Sequence, residues 1–159
     1  MTEDLYHDII LDHYRAPRNR SSDLTGADVH VHHNNPLCGD ELDLWLRVEN
    51  GTVASIDAVV YDGEGCSISM ASASAMTEAV AGRELDDAED LAQSFRAMMH
   101  GDPVAREDEL LDGVAFSGVA KFPVRVKCAL LGWMALRDAI STFRDGQDSN
   151  RVTHDEPTP

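Results

Sequence analysis

Basic side chains are scarce in this chain of 159 residues: 13 Lys and Arg stand against 29 Asp and Glu, giving a formal net charge of −16. A field of that sign repels phosphate backbones and anionic lipid headgroups, which excludes nucleic acid as an expected partner. Lysine is scarcer still, with only two against eleven arginines. Long apolar runs are missing as well; every hydrophobic stretch is broken within a few residues, so no segment reads as a transmembrane helix. The opening Met1-Thr2-Glu3-Asp4 is acidic and no signal-type apolar segment follows it, so a cytoplasmic location is expected. Cysteine is limited to three residues, Cys38, Cys66 and Cys128, which cannot all pair and match no disulfide-stapled small domain.

What is present suffices for one folded unit. With 43% hydrophobic and 26% charged residues the chain can bury a core without disulfides. A single domain is expected over 1–144, with 145–159, polar and ending Pro157-Thr158-Pro159, as a disordered tail. Leu5, Tyr6, Ile9, Ile10 and Tyr14 recur at helical spacing over 3–15, and Pro17 ends that helix. Val29 and Val31 alternate with His30 and His32, predicting a short strand that runs into the turn cluster Asn34-Asn35-Pro36. The clearest strand is Leu42, Leu44, Leu46 and Val48, alternating with Asp43, Trp45 and Arg47. Asn50-Gly51 then signals a hairpin into Val53–Tyr61.

A loop at 62–65 precedes a helix over 67–81 with small residues along one face. A third helix spans about 86–100, with an acidic first turn and Gly101 beyond its end. Residues 101–120 have little periodicity and read as a long connection covering something beneath it. Pro123 opens a last helix over about 124–143. The expected class is α+β: a small antiparallel sheet of about three strands, with helices packed on one of its faces.

All three cysteines sit where chain direction changes or a helix begins. Cys38 lies in Pro36-Leu37-Cys38-Gly39-Asp40, where Gly39 would let Cys38 and Asp40 turn toward one point. Cys66 follows Gly65 at a helix N-terminus, whose free amides and dipole attract negative charge. Cys128 is one turn inside the last helix, with Arg125 three residues before it and Lys127 adjacent. Three thiolates and one carboxylate would make a tetrahedral site around Zn²⁺, and its residual negative charge would favour neighbouring cations. The competing reading is three small buried thiols without chemistry. His30, His32 and His33 read as solvent-facing strand histidines, Met98-Met99 as core packing, and the serines at 67, 69, 72 and 74 have no partner pattern of a catalytic nucleophile.

Three segments carry a resemblance. Asn35-Pro36-Leu37-Cys38-Gly39-Asp40, Gly63-Glu64-Gly65-Cys66-Ser67-Ile68-Ser69 and Lys121 through Ala129 resemble, in order and spacing, the three cysteine motifs of the SufU family among IscU-like (NifU N-terminal-like) iron-sulfur assembly proteins. Leu5 through Asn19 are similar to that family's first helix and turn, so the likeness covers about 4–142. Scaffold-type IscU proteins carry a Leu-Pro-Pro-Val-Lys segment and a His directly before the third Cys. Here Lys121-Phe122-Pro123-Val124-Arg125 and Lys127 stand in those places, and the segment 83–118 is longer.

The resemblance implies a zinc site made by Cys38, Asp40, Cys66 and Cys128, with Gly39, Gly65 and Lys127 in support. It implies a sulfurtransferase-like partner of a SufS-type cysteine desulfurase, with Cys38 receiving the persulfide sulfur, Arg125 attracting the released thiolate, and SUF assembly proteins downstream. The alternatives are a scaffold holding a [2Fe-2S] cluster on the same ligands and a binding module whose zinc is purely structural.

Overall fold

A computed structural model of the chain describes residues 2–36 and 39–149. Cys38 and the expected tail from 150 onward lie outside the described residues. Three strands form one antiparallel sheet in the order β1 (Val29–Asn35), β2 (Asp40–Asn50), β3 (Ala54–Glu64). Strict alternation on β2 sends Leu42, Leu44, Leu46 and Val48 inward. Val29 and Val31 of β1 and Ile56, Val59 and Tyr61 of β3 join them, giving the sheet one apolar face. The opposite face is polar: His30 stacks on Trp45, and His30 and His32 both meet Asp43.

Helices cover the apolar face alone, as the alternation requires. They are α1 (Thr2–Arg15), α2 (Ser67–Val80), α3 (Leu85–Met99), the single turn α4 (Glu107–Leu110) and α5 (Pro123–Ser149). Between α4 and α5 the chain winds as a 3₁₀ helix over Leu111–Lys121, unusually long for that geometry. Helix α2 is buried on almost every side, because Ala71, Ala73, Ala75 and Ala79 let neighbours approach closely. Gly132 of α5 sits against Ala73; a Cβ there would lie 3.0 Å from the Ala73 Cα and Cβ. Ser72 donates to the Ala129 carbonyl at 2.7 Å. Small residues therefore seat α5 directly on α2 and fix their relative position.

Several elements run further than their sequence patterns. Strand β1 includes Asn34 and Asn35, and β3 continues through Asp62, Gly63 and Glu64, since backbone pairing with Asp40 to Asp43 holds residues chosen for a turn. Helix α5 continues past Phe143 to Ser149, into the stretch expected as tail. The supposed connection at 101–120 is largely helical, and Ala115, Phe116 and Val119 from it are buried. On α1, Leu5 and Tyr14 are 57% and 47% exposed, whereas His13 is wholly buried. The inner stripe thus runs along Ile10 and His13, because His13 pairs with Ser74 at 2.7 Å and Asp112 at 2.8 Å. His33 is not solvent-facing either: it points to the apolar side and meets Asp138 of α5 at 2.8 Å.

Candidate metal centre

The seating of α5 on α2 decides where two of the cysteines go. Cys66 immediately precedes α2 and Cys128 lies in the second turn of α5, both upstream of the Ala73–Gly132 contact. Asp40 opens β2, two residues after Cys38 in the chain. Gly39 has φ +73°, a left-handed conformation open to glycine at little cost, and its N–H donates to Asn35 O at 2.9 Å. The result is that donor atoms of Asp40, Cys66 and Cys128 all lie within 4.8 Å of one another. Asp40 and Cys128 are buried and Cys66 is half-buried.

Local hydrogen bonds orient this group. Asp40 Oδ1 accepts the Cys66 backbone N–H at 3.2 Å, one of the free amides at the start of α2, and Oδ2 lies 3.7 Å from Cys66 Sγ. That carboxylate is thereby aimed at the sulfur rather than at solvent. Gly65 is required for the approach: a Cβ there would lie 2.4 Å from Ser69 Oγ and 3.0 Å from Asp40 Cγ. Cys128 Sγ lies 3.8 Å from the Val124 carbonyl of its own helix. Two soft sulfurs and a carboxylate, buried or half-buried and mutually close, are a donor set suited to zinc or to tetrahedral iron.

Two clefts flank the group, on either side of the α5 N-terminus. One, of about 600 Å³, is bordered by Asn35, Pro36, Lys127 and Leu131, with Arg96 and His100 at its margin. The other, of about 630 Å³, is bordered by Tyr6, Ser67, Ile68, Phe122, Lys121 and Arg125. Arg125 and Lys127, paired in sequence as neighbours of Cys128, therefore line different clefts. Phe122, which borders the second cleft, and Val124 are 60% and 75% exposed.

Of the residues picked out in the sequence, Asp40, Cys66 and Cys128 converge, Gly39 and Gly65 shape the backbone around them, and Cys38 lies outside the described residues. Sequence reasoning missed Ser69, wholly buried with Oγ 3.7 Å from Cys66 Sγ. Its position three residues after Cys66, one helical turn on, was the available signal. It also missed His13, whose ring faces Asp112 and, at 3.8 Å, Glu78. There the only signal was a histidine at i+3 from Ile10 on an otherwise apolar stripe.

The chain is 39% identical over 142 residues to the zinc-dependent sulfurtransferase SufU of Bacillus subtilis, covering 89% of this chain and 93% of that one. It is 37% identical over 143 residues to the iron-sulfur cluster assembly scaffold protein IscU of Streptococcus pyogenes, covering 90% and 87%. Among solved structures, a candidate SUF-system iron-sulfur assembly scaffold from Fervidobacterium islandicum superposes with a TM-score of 0.76 at 29% identity, covering 84% of this chain and 94% of that one. A family model for the NifU-like N-terminal domain matches residues 5–149, which span every element that shapes the donor group, and the chain belongs to that family.

Proposed function

We propose that the chain is a zinc-dependent sulfur-transfer protein of iron-sulfur cluster assembly, taking persulfide sulfur from a SufS-type cysteine desulfurase onto Cys38. The observation that carries the reading is the convergence of Asp40, Cys66 and Cys128, with a third thiol only two residues before Asp40 in the chain. Cys38, Asp40, Cys66 and Cys128 would hold the metal, which when bound stabilises the thiolates and fixes their geometry. A four-ligand site is closed, so chemistry requires one ligand to leave. Cys66 and Cys128 are carried by two helices locked together, whereas Cys38 directly precedes Gly39, whose left-handed φ of +73° is open to glycine at little cost. Cys38 is therefore the ligand that leaves.

The step balances without an oxidant. The Cys38 thiolate attacks the outer sulfur of the desulfurase persulfide; a new S–S bond forms on Cys38, and the desulfurase cysteine departs as thiolate. Arg125, in the cleft beside the start of α2, supplies positive charge for the transferring sulfur. SUF assembly proteins then accept that sulfur.

The test is elemental analysis of anaerobically purified protein, followed by a desulfurase assay. One zinc per colourless chain, stimulation of the desulfurase, and its abolition in Cys38→Ala are expected. The scaffold reading, favoured by the IscU relatives, predicts instead brown protein with two irons and acid-labile sulfide. Stimulation that survives Cys38→Ala would leave the metal a purely structural role.

A further inference from the structure

The sulfur-transfer reading requires that only one of several metal-bound thiolates accepts the incoming sulfur. Cys128 is 1% exposed, screened from solvent by burial. Cys66 has no such screen: it is half-buried, at the open end of α2, and beside a cleft whose wall includes Ser67 and Ile68. Something must keep Cys66 from competing with Cys38.

We propose that Ser69 is the positioning residue that does so, by donating its hydroxyl to the Cys66 thiolate, holding that sulfur on the metal and lowering its nucleophilicity. This rests on the sulfur-transfer reading and adds to it the choice between cysteines. Ser69 is wholly buried, and its Oγ lies 3.7 Å from Cys66 Sγ. With the sulfur protonated, the Ser69 hydroxyl donates to the Cys66 carbonyl at 3.0 Å. A thiolate has no proton and can only accept, so turning the hydroxyl about its Cβ–Oγ bond redirects its proton to sulfur. That turn leaves nothing unsatisfied, because the Cys66 carbonyl keeps the Met70 N–H at 3.1 Å. Room for the hydroxyl depends on Gly65, whose Cβ, if present, would lie 2.4 Å from Ser69 Oγ. Ser69 and Asp40 thus bracket Cys66 Sγ at equal distances of 3.7 Å, one able to donate and the other to share the metal. Hydrogen bonds to a metal-bound ligand orient it and draw electron density from it.

The test compares zinc-loaded wild type, Ser69→Ala and Ser69→Thr with Ser74→Ala, which removes another buried α2 hydroxyl, one bonded to His13 and the Arg18 N–H. Iodoacetamide alkylation is followed by peptide mass mapping, and the Co²⁺-substituted forms are examined for their sulfur-to-metal charge-transfer band. Ser69→Ala is expected to raise the Cys66 alkylation rate about tenfold, the factor set by losing a hydrogen bond to a charged acceptor. Its charge-transfer band should move to lower energy. Ser69→Thr, which keeps the hydroxyl, and Ser74→Ala should match wild type in both readouts. Unchanged Cys66 alkylation and an unchanged band in folded, zinc-loaded Ser69→Ala would overturn the proposal while leaving sulfur transfer intact. So would equal acceleration in Ser74→Ala, which would mark general loosening of α2. Should Ser69→Ala fail to fold, the wild-type map decides: Cys66 must react more slowly than Cys38, and equal rates overturn the proposal. Wild-type protein that takes up no zinc would overturn both readings together.

Discussion

The two ends of the helical layer treat their cations in opposite ways. At the end built from the start of α3, α4 and the residues around them, every arginine is paired. Arg83 and Arg106 both bind Asp87 at 2.6 Å, and both reach Glu109, at 3.2 and 2.8 Å. Arg144 meets Asp86 and Glu89. At the donor end, Lys121, Arg125 and Lys127 have no carboxylate among the described residues within ion-pair distance. In a chain carrying a net charge of −16, three cations unpaired among the described residues leave positive charge beside the donor group. The paired end has a different task. Arg106 and Leu111 adopt φ of +56° and +52°, conformations that non-glycine residues rarely take, and the crossed ion pairs around Arg106 hold the chain there. One end uses charge to fix a backbone, and the other leaves its cations unpaired among the described residues.

Removing the metal should divide the two ends most sharply. If the donor end is organised by zinc, a strong chelator should lower the melting temperature by more than about 10 °C, since a bound structural zinc contributes on the order of 10 kcal/mol. Cys66→Ala or Cys128→Ala should each weaken zinc binding by about a hundredfold or more in a chelator competition, because a coordinating sulfur is lost outright. Substitutions at Arg83 or Arg106 should leave zinc affinity at its wild-type value. A chelator-insensitive melt would mean that both ends are merely structural.

A pair of glycines sharpens the same contrast within one loop. Gly63 and Gly65 are two residues apart, yet a Cβ on Gly63 would strike the Glu41 carbonyl oxygen at 2.1 Å, whereas one on Gly65 would strike Ser69 Oγ and Asp40 Cγ. Gly63→Ala therefore forces two paired strands apart and should lower the melting temperature in apo and zinc forms alike, by about 5 °C or more. Gly65→Ala displaces the Ser69 and Asp40 side chains beside the donor group. It should cost roughly tenfold or more in zinc affinity with a smaller change in the apo melt. Equal effects of the two variants on both measurements would erase the distinction between framework and site.

Much of this was readable from the residues, and the failures have physical causes. The alternation of Leu42, Leu44, Leu46 and Val48 specifies a one-sided sheet, because a period of two allows no other assignment of faces, and burial follows it residue by residue. Cys66 at the start of α2 was legible from Gly65 and the small-residue helix behind it. Asp40 is by residue type an ordinary turn former, and only folding shows it bonded to the Cys66 amide. His13 was illegible for the opposite reason. Its burial is made by Ser74 and Asp112, 61 and 99 residues away, and no local pattern on α1 reports partners so distant. The 3₁₀ segment lacks helical periodicity by construction, since three residues per turn spread Ala115, Phe116 and Val119 differently from an α-helical stripe. Asn34, Asn35 and Asp62 to Glu64 are turn formers by propensity, recruited into strands by the ladder beside them.

At the paired end the expected effects are smaller. Arg106→Ala removes a partner from both Asp87 and Glu109 and frees a strained backbone, so a fall of roughly 2–4 °C in melting temperature is expected, with zinc stoichiometry and desulfurase stimulation unchanged. A loss of stimulation would show that this end communicates with the donors and that the division drawn here is false.

Acid should expose the same network by titration. The Arg106 guanidinium, with Arg83 behind it, holds the Glu109 carboxyl down to about 2, against an ordinary value of 4.5, and Arg83 followed by Arg106 lowers Asp87. A group whose folded value is depressed contributes stability that is fully present above its unfolded value and lost as pH falls toward the folded one. For Glu109 that window runs from about 4.5 down to about 2. Because Glu109 is largely in solvent, the contribution is small, and it should be weakened by salt. Melting temperature measured across that window should therefore fall less steeply in Glu109→Gln than in wild type, with the two curves differing most above pH 5, where Glu109→Gln has already lost its ion pairs. Repeating the measurement in 1 M NaCl should bring the two slopes together. Slopes that coincide at low salt would mean that Arg83 and Asp87 hold the Arg106 turn without Glu109, and would confine the role of crossed ion pairs at this end to those at Asp87.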